Sequence, residues 1–265
     1  MPISLLIDTD PGIDDALALL LAFASPEASV EAITTVAGNA PVERCTENVF
    51  RILDAVKPSR LLPVAQGASA PLVRPLVSAG HVHGEDGLGD LHRFRNLDGS
   101  PRYPPVAARP VSLDGPDLIL ECAARFAGDL VVVGLGPLTN LALALQRDRD
   151  RMAGVRRVVV MGGAVASPGN VTPVAEFNFY VDPEAASRVL GSGLPIELIA
   201  LDVTRQVVLL RSALDSRLSA CPGRLAQFIS DFTLKAFAFG AEAGEGGLTL
   251  HDPLALAVAL DPSLV

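Results

Sequence analysis

Four aspartates lie within eight residues near the start of the chain, in the run DTDPGIDD over residues 8–15. Negative charges this close repel one another and raise one another's pKa values, so the cluster is costly unless a cation neutralises it. Neither cysteine nor histidine lies in the run. The favoured ion is therefore a hard, oxygen-preferring one, Ca²⁺ or Mg²⁺. The cluster predicts a metal site.

Two alternative interpretations of the same run remain open at this point. Asp8 and Asp10 could be turn formers and Asp14 or Asp15 a helix N-cap, because aspartate is favoured in both places. This explains one or two of the four carboxylates. A haloacid-dehalogenase-like phosphohydrolase would instead use Asp8 as nucleophile and Asp10 as acid. It would also need a positioned lysine or arginine and a later acidic pair, and it gives Asp14 and Asp15 no role.

Apolar runs that alternate with segments of helical periodicity indicate the elements that must position this cluster. The predicted strands are Ser4–Ile7, Val30–Val36, Leu61–Ala65, Leu130–Val133, Arg157–Met161 and Ile196–Leu201. The predicted helices between them are Asp14–Ala24, Val42–Val56, Gly115–Phe126, Pro137–Leu145 and Pro183–Leu190. This order predicts a single α/β domain with a doubly wound, mainly parallel open sheet flanked by helices. The active site is then expected at the carboxyl ends of the strands, where the aspartate run lies.

The remaining segments predict site walls and a helical second half. Two long stretches, 66–114 and 162–181, interrupt the alternation, and loops of this length in a compact domain are often functional. The later part of the chain predicts the helices Leu209–Leu218 and Leu225–Gly240, a glycine-rich link over Gly240–Gly247, and a last helix from Asp252.

Charge and cysteine content exclude several classes of partner. The net charge is −9 and only Lys57 and Lys235 are lysines, so no basic stripe is available to bind nucleic acid. Cys45, Cys122 and Cys221 are widely spaced, which argues against disulfides and thiolate metal sites and fits a reducing cytoplasm. The N-terminus lacks the features of a secretory signal, and no apolar run approaches the roughly 20 residues of a membrane span. We expect a soluble, cytoplasmic protein without a membrane partner.

The longer run DTDPGIDDALAL resembles the N-terminal signature of the inosine–uridine-preferring nucleoside hydrolases. Further segments resemble the other blocks of this family, in order along nearly the whole chain: VAGN at 36–39, HGEDGLG at 83–89, GPLTN at 136–140, MGG at 161–163, PVAEFN at 173–178 and HDP at 251–253. The resemblance implies hydrolysis of the N-glycosidic bond of ribonucleosides to ribose and free nucleobase. It also implies a Ca²⁺ cofactor and a homodimer or homotetramer.

The resemblance assigns roles to particular residues. It implies that Asp10, Asp15, Asp252 and the backbone carbonyl of Leu135 ligate Ca²⁺. The residues implied to contact the nucleoside are Asp14, Asn39, Asn170, Glu176 and Asn178 at the ribose hydroxyls, Met161 in the sugar pocket, and His83 near the base. Asp10 would also deprotonate a calcium-bound water as general base, and His251 would protonate the departing base.

Local chemistry supports parts of this assignment. The reaction passes through an oxocarbenium-like sugar, so carboxylate and amide oxygens around the ribose favour the developing charge. Glu176 and Asn178 suit that task, because an i, i+2 pair on an extended loop places both side chains on one face. Phe232, Phe237 and Phe239 have helical spacing, which favours core packing, although their place in the sequence allows one of them to stack on the base.

Some properties stay open at the level of sequence. The chain ends at Val265, earlier than the family's usual length, so 1–265 is expected to be one nucleoside-hydrolase-like domain that is short at its C-terminus. The chain contains no tryptophan, and the choice between purine and pyrimidine bases is not determined. A non-catalytic, calcium-dependent nucleoside- or ribose-binding protein would keep the metal ligands and lose the acid. The presence of both Asp10 and His251 favours an enzyme.

Overall fold

A fully parallel six-stranded sheet lies at the centre of the molecule, in the order β3-β2-β1-β4-β5-β6. The computed structural model describes residues 2–242, 244 and 246–265. The strands of the sheet are β1 (Ile3–Thr9), β2 (Ala28–Thr35), β3 (Val64–Gln66), β4 (Val131–Gly134), β5 (Arg157–Met161) and β6 (Ile196–Ile199). A separate antiparallel ribbon pairs β7 (Val208–Leu209) with β8 (Leu248–Thr249). The predicted parallel sheet is confirmed.

Helices connect the strands and cover both faces of the sheet. They are α1 (Ile13–Ala24), α2 (Val42–Val56), α3 (Gly80–His83), α4 (Gly115–Arg125), α5 (Thr139–Arg147), α6 (Arg149–Met152), α7 (Phe177–Val181), α8 (Pro183–Leu190), α9 (Leu201–Thr204), α10 (Arg211–Ala220), α11 (Arg224–Glu242) and α12 (His251–Leu260). Short 3₁₀ turns lie at Leu91–Arg93 and Pro262–Leu264. Within the described residues, no helix combines the length and apolar character needed to cross a bilayer.

The apolar strands are buried because helices pack on both sides of them. Leu5 and Ile7 of β1 belong to the core on the side of α1, α11 and α12, whereas Leu6 belongs to the core on the side of α4, α5 and α8. Successive side chains of a strand point to opposite faces, so both faces of β1 need apolar residues. The predicted doubly wound α/β fold is therefore confirmed, with one core on each face of the sheet.

The strand order reverses between β1 and β4, since β2 and β3 lie on one side of this pair and β5 and β6 on the other. Open α/β sheets bind ligands in the crevice at such a reversal, beyond the carboxyl ends of the strands. The Leu135 amide, directly after β4, donates to the Asp8 carbonyl at 2.8 Å and fixes the two strand ends together. The aspartate run leaves β1 at this crevice, and α1 begins at Ile13.

Only the strand Arg157–Met161 has its predicted bounds, and two of the predicted strands are shorter in the structure. The segment Leu61–Ala65 pairs only from Val64 onward, because Leu61 is fully exposed and β3 is the edge strand. The predicted strand Ile196–Leu201 ends at Ile199, because Leu201 starts the one-turn helix α9.

The second half of the chain differs from its prediction at two points. The predicted helix Leu209–Leu218 starts only at Arg211, because Leu209 pairs with Leu248 in the ribbon. Residues 240–242 of the predicted glycine-rich link belong to α11, and residues 243 and 245 of this link lie outside the described residues.

Candidate active site

Asp10 lies directly beyond β1 and is completely buried. The Asn39 amide donates to its Oδ2 atom at 2.7 Å, whereas the buried Oδ1 atom has no hydrogen-bond partner. Two glycines make room for this carboxylate. A Cβ atom on Gly136 would lie 2.5 Å from Oδ1, and one on Gly38 would collide with Oδ2. The loops after β2 and β4 thus enclose Asp10 Oδ1, to which no protein group donates a hydrogen bond. A buried acceptor without a protein partner is expected where a cation or a water binds.

Asp15 is held in the first turn of α1 by hydrogen bonds to both carboxylate oxygens. Thr9 Oγ1 donates to Oδ1 at 2.5 Å, and the Gly12 amide and Asn39 Nδ2 donate to Oδ2 at 2.9 and 3.1 Å. These donors fix the orientation of the carboxylate. Asn39 contacts both Asp10 and Asp15 and so sets the spacing between them.

The first turns of α1 and α12 bring three carboxylates together. Ligand oxygens of Asp14, Asp15 and Asp252 all lie within 4.8 Å of one another. The N-terminal ends of two helices meet here, and their partial positive charge reduces the cost of the cluster without neutralising it. This group differs from the set implied by the resemblance, which has Asp10 in place of Asp14. Asp10 is nonetheless close enough for its charge to act on Asp252.

Burial raises the pKa of each carboxylate at this site, and repulsion from neighbouring carboxylates adds to the shift for Asp10, Asp15 and Asp252. The pKa values of Asp10 and Asp252 lie well above the usual range, first because of burial and then because of neighbouring carboxylates. Burial also raises the pKa values of Asp14 and Asp15. The charge of His251 partly offsets the shift of Asp14, and hydrogen bonds from Thr9 and the Gly12 amide partly offset that of Asp15. Among the described residues, no lysine or arginine forms a salt bridge with any of these carboxylates. A bound cation would supply the missing positive charge.

The carboxylates of the cluster offer oxygen atoms as metal ligands. Cys45 is the nearby thiol, but its Sγ atom donates to the Ala40 carbonyl at 3.4 Å. Burial, followed by the charges of Asp10 and Asp15, raises the pKa of the Cys45 thiol well above its usual range, so the thiolate is not available as a ligand. The cluster therefore fits a hard divalent cation.

Asn178 joins the ends of β4 and β5 on the opposite wall of the crevice. Its Nδ2 atom donates to the Leu135 carbonyl at 2.7 Å and to the Met161 carbonyl at 3.2 Å. Asn178 is 6% exposed and Met161 3% exposed. Leu135, Met161 and Asn178 are thus brought together beside Asp10, because Leu135 directly precedes Gly136.

Glu176 is the N-cap of α7. Its Oε1 atom accepts from the Asn178 amide at 2.8 Å, and its Oε2 atom accepts from the amides of Gly163 and Phe179 at 2.8 and 3.1 Å. The expectation of an extended loop over residues 176–178 is wrong, because the segment turns into a helix immediately after Glu176. Burial raises the pKa of Glu176, which these three amides partly offset.

His83 lies at the end of α3 and contacts the start of α1. The Ile13 amide donates to His83 Nδ1 at 3.0 Å, so in the neutral ring the proton lies on Nε2. Surrounding protein atoms lower the pKa of His83 to about 4, and the charge of Asp15 offsets only part of this shift. His83 is therefore neutral at pH 7 and offers Nε2–H as a hydrogen-bond donor.

His251, Asn170 and the phenylalanines have different surroundings. His251 begins α12, and its Nδ1 atom lies 2.8 Å from Thr204 Oγ1. Asn170 lies on an exposed loop, and no described contact of its side chain joins it to the carboxylates. Phe232 is fully buried in the core, whereas Phe239 is exposed and packs edge-on against His81, with ring centroids 6.1 Å apart.

Asn48 is a positioning residue that the sequence analysis did not identify. Its fully buried Nδ2 atom donates to the Pro11 carbonyl at 3.1 Å and to the Asp86 carbonyl at 2.9 Å. It therefore joins the aspartate-rich turn at Pro11 to the loop that follows His83. The available signal was a polar residue on the apolar face of α2, next to Val49.

Asp8 forms a second buried polar cluster below the site. Its Oδ1 atom accepts from Thr34 Oγ1 at 2.6 Å and from Asn140 Nδ2 at 2.7 Å, whereas Oδ2 is buried and has no partner. Burial raises the pKa of Asp8 to about 7. Asp8 lies inside β1, before the strand ends, and Thr34 and Asn140 both donate to its Oδ1 atom. This geometry argues against the phosphohydrolase interpretation, in which Asp8 is the nucleophile.

Replacing Asp8 by asparagine is expected to flatten the pH dependence of stability in the metal-free protein. The folded state keeps the Asp8 proton up to about pH 7, whereas the unfolded chain loses it near 3.8. Between these values the folded state binds more protons, so its stability decreases as the pH rises, by about 1.4 kcal/mol per pH unit. Urea unfolding across this range measures both slopes. An unchanged slope in Asp8→Asn would contradict the assignment.

The structure thus defines a doubly wound α/β protein with a carboxylate site at the reversal of its strand order. The sequence profile of the inosine-uridine preferring nucleoside hydrolase family matches residues 5–265, and the chain belongs to this family. A relative named "Probable uridine nucleosidase 2" from Arabidopsis thaliana is 38% identical over 98% of this chain and 78% of its own length. The pyrimidine-specific ribonucleoside hydrolase RihA of Salmonella typhimurium is 40% identical over 100% of this chain and 81% of its own length.

Comparison with solved structures agrees with the family. The structure of a plant nucleoside hydrolase, PpNRh1, superposes with a TM-score of 0.91 at 34% sequence identity, and the match covers 100% of this chain and 80% of the plant chain. The fold class and family predicted from the sequence are confirmed. The chain is a ribonucleoside hydrolase, an enzyme that acts on the N-glycosidic bond.

Proposed function

We propose that the chain hydrolyses pyrimidine ribonucleosides with Ca²⁺ as cofactor. The proposed ligands are carboxylates of Asp10, Asp15 and Asp252 together with the Leu135 carbonyl. The observation that carries the proposal is the buried, unpartnered Oδ1 atom of Asp10, in a carboxylate close enough to interact with the charges of Asp15 and Asp252. Ca²⁺ accepts six to eight oxygen ligands, so this set leaves room for a water and for ribose hydroxyls.

Asp10 is proposed to act as the general base. A bound Ca²⁺ supplies positive charge that offsets the carboxylates and lowers the pKa of a neighbouring water. Asp10 Oδ1 takes a proton from the attacking water, whose oxygen forms a bond to C1′ of the ribose. Oδ2 stays hydrogen-bonded to the Asn39 amide and keeps the carboxylate oriented.

Residues on both walls of the crevice are proposed to bind the ribose and favour its developing positive charge. Asn39, Asp14 and Asn170 supply polar contacts to the hydroxyls, and Met161 lines the sugar pocket. Glu176 and Asn178 belong to one rigid unit, because Glu176 is the N-cap of α7 and Asn178 lies in the first turn of that helix. Negative and dipolar groups held in place in this way stabilise an oxocarbenium-like sugar without reorganising during the reaction.

The electron pair of the broken N-glycosidic bond passes to the base, which must gain a proton or a hydrogen bond. His251 is proposed to donate that proton, with Thr204 Oγ1 orienting its Nδ1 atom. His83 is proposed to donate a hydrogen bond from Nε2, because its Nδ1 atom is already occupied by the Ile13 amide. The products are ribose and the free base, and one water is consumed.

Pyrimidine preference is supported by the names of two relatives that align along nearly the whole chain, a uridine nucleosidase and a pyrimidine-specific hydrolase. The resemblance to the family further supports a homodimer or homotetramer, and the three free cysteines fit a reducing cytoplasm. Light scattering on the purified protein measures the oligomeric state, and localisation of the tagged full-length protein in its source cells tests the compartment.

Ribose release from a nucleoside panel tests the proposed activity. We expect a kcat/KM for uridine or cytidine at least about tenfold above that for inosine, the scale on which pockets usually discriminate. Uridine monophosphate is expected to be a poor substrate, because the 5′-phosphate would enter a crevice that already carries several carboxylates. Binding of uridine without turnover would instead identify a binding protein. Equal rates on uridine and inosine would contradict the pyrimidine preference.

A further inference from the structure

The segment 164–175, here called the substrate loop, carries Asn170 and lies over the carboxyl end of β5. Its structure is irregular, and Val165 and Val174 are 76% and 80% exposed. The amides of residues 170–172 all converge on the Ala175 carbonyl at 3.1–3.4 Å, which makes the tip of the loop a compact turn. Few apolar contacts hold such a loop on the molecule, so its position depends on polar contacts.

Two side chains, one in the one-turn helix α9 and one directly after it, supply those polar contacts. Asp202 of α9 accepts from the amides of Val165 and Ala166 at 2.9 and 2.7 Å and from Ser167 Oγ at 3.3 Å. These backbone donors hold the pKa of Asp202 below its usual range, so the carboxylate is charged at neutral pH.

Arg205, directly after α9, fixes the next part of the substrate loop. Its Nη1 atom donates to the Pro168 carbonyl at 2.7 Å, and its Nη2 atom donates to the Gly169 carbonyl at 2.9 Å. Gly169 is itself confined, because a Cβ atom there would collide with the Ala175 carbonyl oxygen. Residues 165–169 are therefore held from one end to the other, and Asn170 is the next residue.

The same helix also contacts the other wall of the crevice. Thr204 of α9 is fully buried, and its Oγ1 atom lies 2.8 Å from His251 Nδ1. One turn of helix, anchored after β6, thus holds both the substrate loop and the proposed leaving-group acid.

We propose that Asp202 and Arg205 are positioning residues of the active site, which hold the substrate loop so that Asn170 reaches the ribose of the bound nucleoside. This inference rests on the proposed function. It assigns to two side chains outside the crevice a role in substrate affinity, exerted through Asn170 rather than through contact with substrate.

A double-mutant cycle on the full-length enzyme tests the proposal, with Asp202→Ala, Asn170→Ala and the double variant. We expect Asp202→Ala and Asn170→Ala each to raise KM for uridine about tenfold, the effect of losing one hydrogen bond of about 1.4 kcal/mol. The effect on kcat is expected to be at most about twofold. In the double variant, KM is expected to match that of Asn170→Ala alone, because a loop without Asn170 no longer benefits from being positioned.

Asp215→Ala is the matched control, since Asp215 is also a helical carboxylate paired with an arginine, at 2.8 Å from Arg211, but no described hydrogen bond or ion pair joins it to the substrate loop. Its KM is expected to equal that of the wild type. Arg205→Ala removes the other side chain that holds the substrate loop, so the proposal stays testable if Asp202→Ala fails to fold. Thermal unfolding confirms that each variant used is folded.

Three results would overturn the proposal. These are wild-type KM in folded Asp202→Ala and Arg205→Ala, an Asn170→Ala variant with wild-type KM, and additive effects on KM in the double variant. A wild-type enzyme that releases no ribose from any nucleoside is a different failure. It overturns the proposed function, and the positioning role falls with it.

Discussion

Asp10→Asn is expected to lower kcat for ribonucleoside hydrolysis by about 10⁴-fold, the upper range for loss of a general base. Asparagine keeps an oxygen acceptor for the Asn39 amide, so the loop packing around Gly38 and Gly136 is preserved. It removes the negative charge and the ability of Oδ1 to take a proton. Single-turnover ribose release from uridine measures the loss, and circular dichroism checks the fold.

A control and a metal titration separate the two roles of Asp10. Asp117→Asn removes a carboxylate that pairs with Arg147 on the surface, and wild-type activity is expected. If Asp10→Asn is saturated with Ca²⁺ and remains inactive, the loss reflects the missing base. Substantial activity in calcium-saturated Asp10→Asn would show that another group deprotonates the water.

Removal of divalent cations by a chelator is expected to abolish activity and lower Tm, and added Ca²⁺ is expected to restore both. The metal-free site contains several buried carboxylates whose pKa values are raised by burial and mutual repulsion. A ligand that binds only the folded state stabilises it by about 4 kcal/mol at a thousandfold excess over Kd. Activity and Tm measured with and without chelator at neutral pH test this expectation.

The stabilisation by Ca²⁺ is expected to shrink as the pH falls, because protons and metal compete for the same carboxylates. The raised pKa values place this competition above the usual titration range of aspartate, so the decrease begins at a higher pH than for exposed carboxylates. Asp252→Ala is expected to lose both the activity and the calcium-dependent rise in Tm. Full activity after exhaustive chelation would contradict a metal-dependent mechanism.

The sequence was sufficient to predict the sheet and the aspartate cluster of the site because both depend on local patterns. Continuous apolar runs predict strands that are covered on two faces, as Leu5, Leu6 and Ile7 of β1 are. Four aspartates around a Pro-Gly turn predict a cation site from charge alone. The bond that is cut required the family resemblance, since carboxylates alone do not specify a ribose or a base.

The contacts that the sequence did not reveal join residues far apart in the chain. The Ile13 amide meets a histidine 70 residues away, and Asn48 donates to a carbonyl 38 residues away. The helix α7 is only five residues long, too short for periodicity to show that Glu176 is its cap. Glu176 also accepts from the Gly163 amide, which follows β5 and is 13 residues away in the chain. Such contacts follow from the packed fold, which no local pattern encodes.

The two glycines that enclose Asp10 divide the site into parts with unequal capacity for evolutionary change. Any side chain at Gly38 or Gly136 would enter the space of the Asp10 carboxylate, the proposed general base. The floor of the site, formed by Asp10 and these two glycines, therefore tolerates almost no change in sequence. The substrate loop is exposed and rests on α9 through two side chains, so its tip can accept substitutions while the floor stays intact. New nucleoside specificities can therefore arise at the rim of the crevice without rebuilding the chemistry beneath it. Directed-evolution libraries are best confined to the substrate loop.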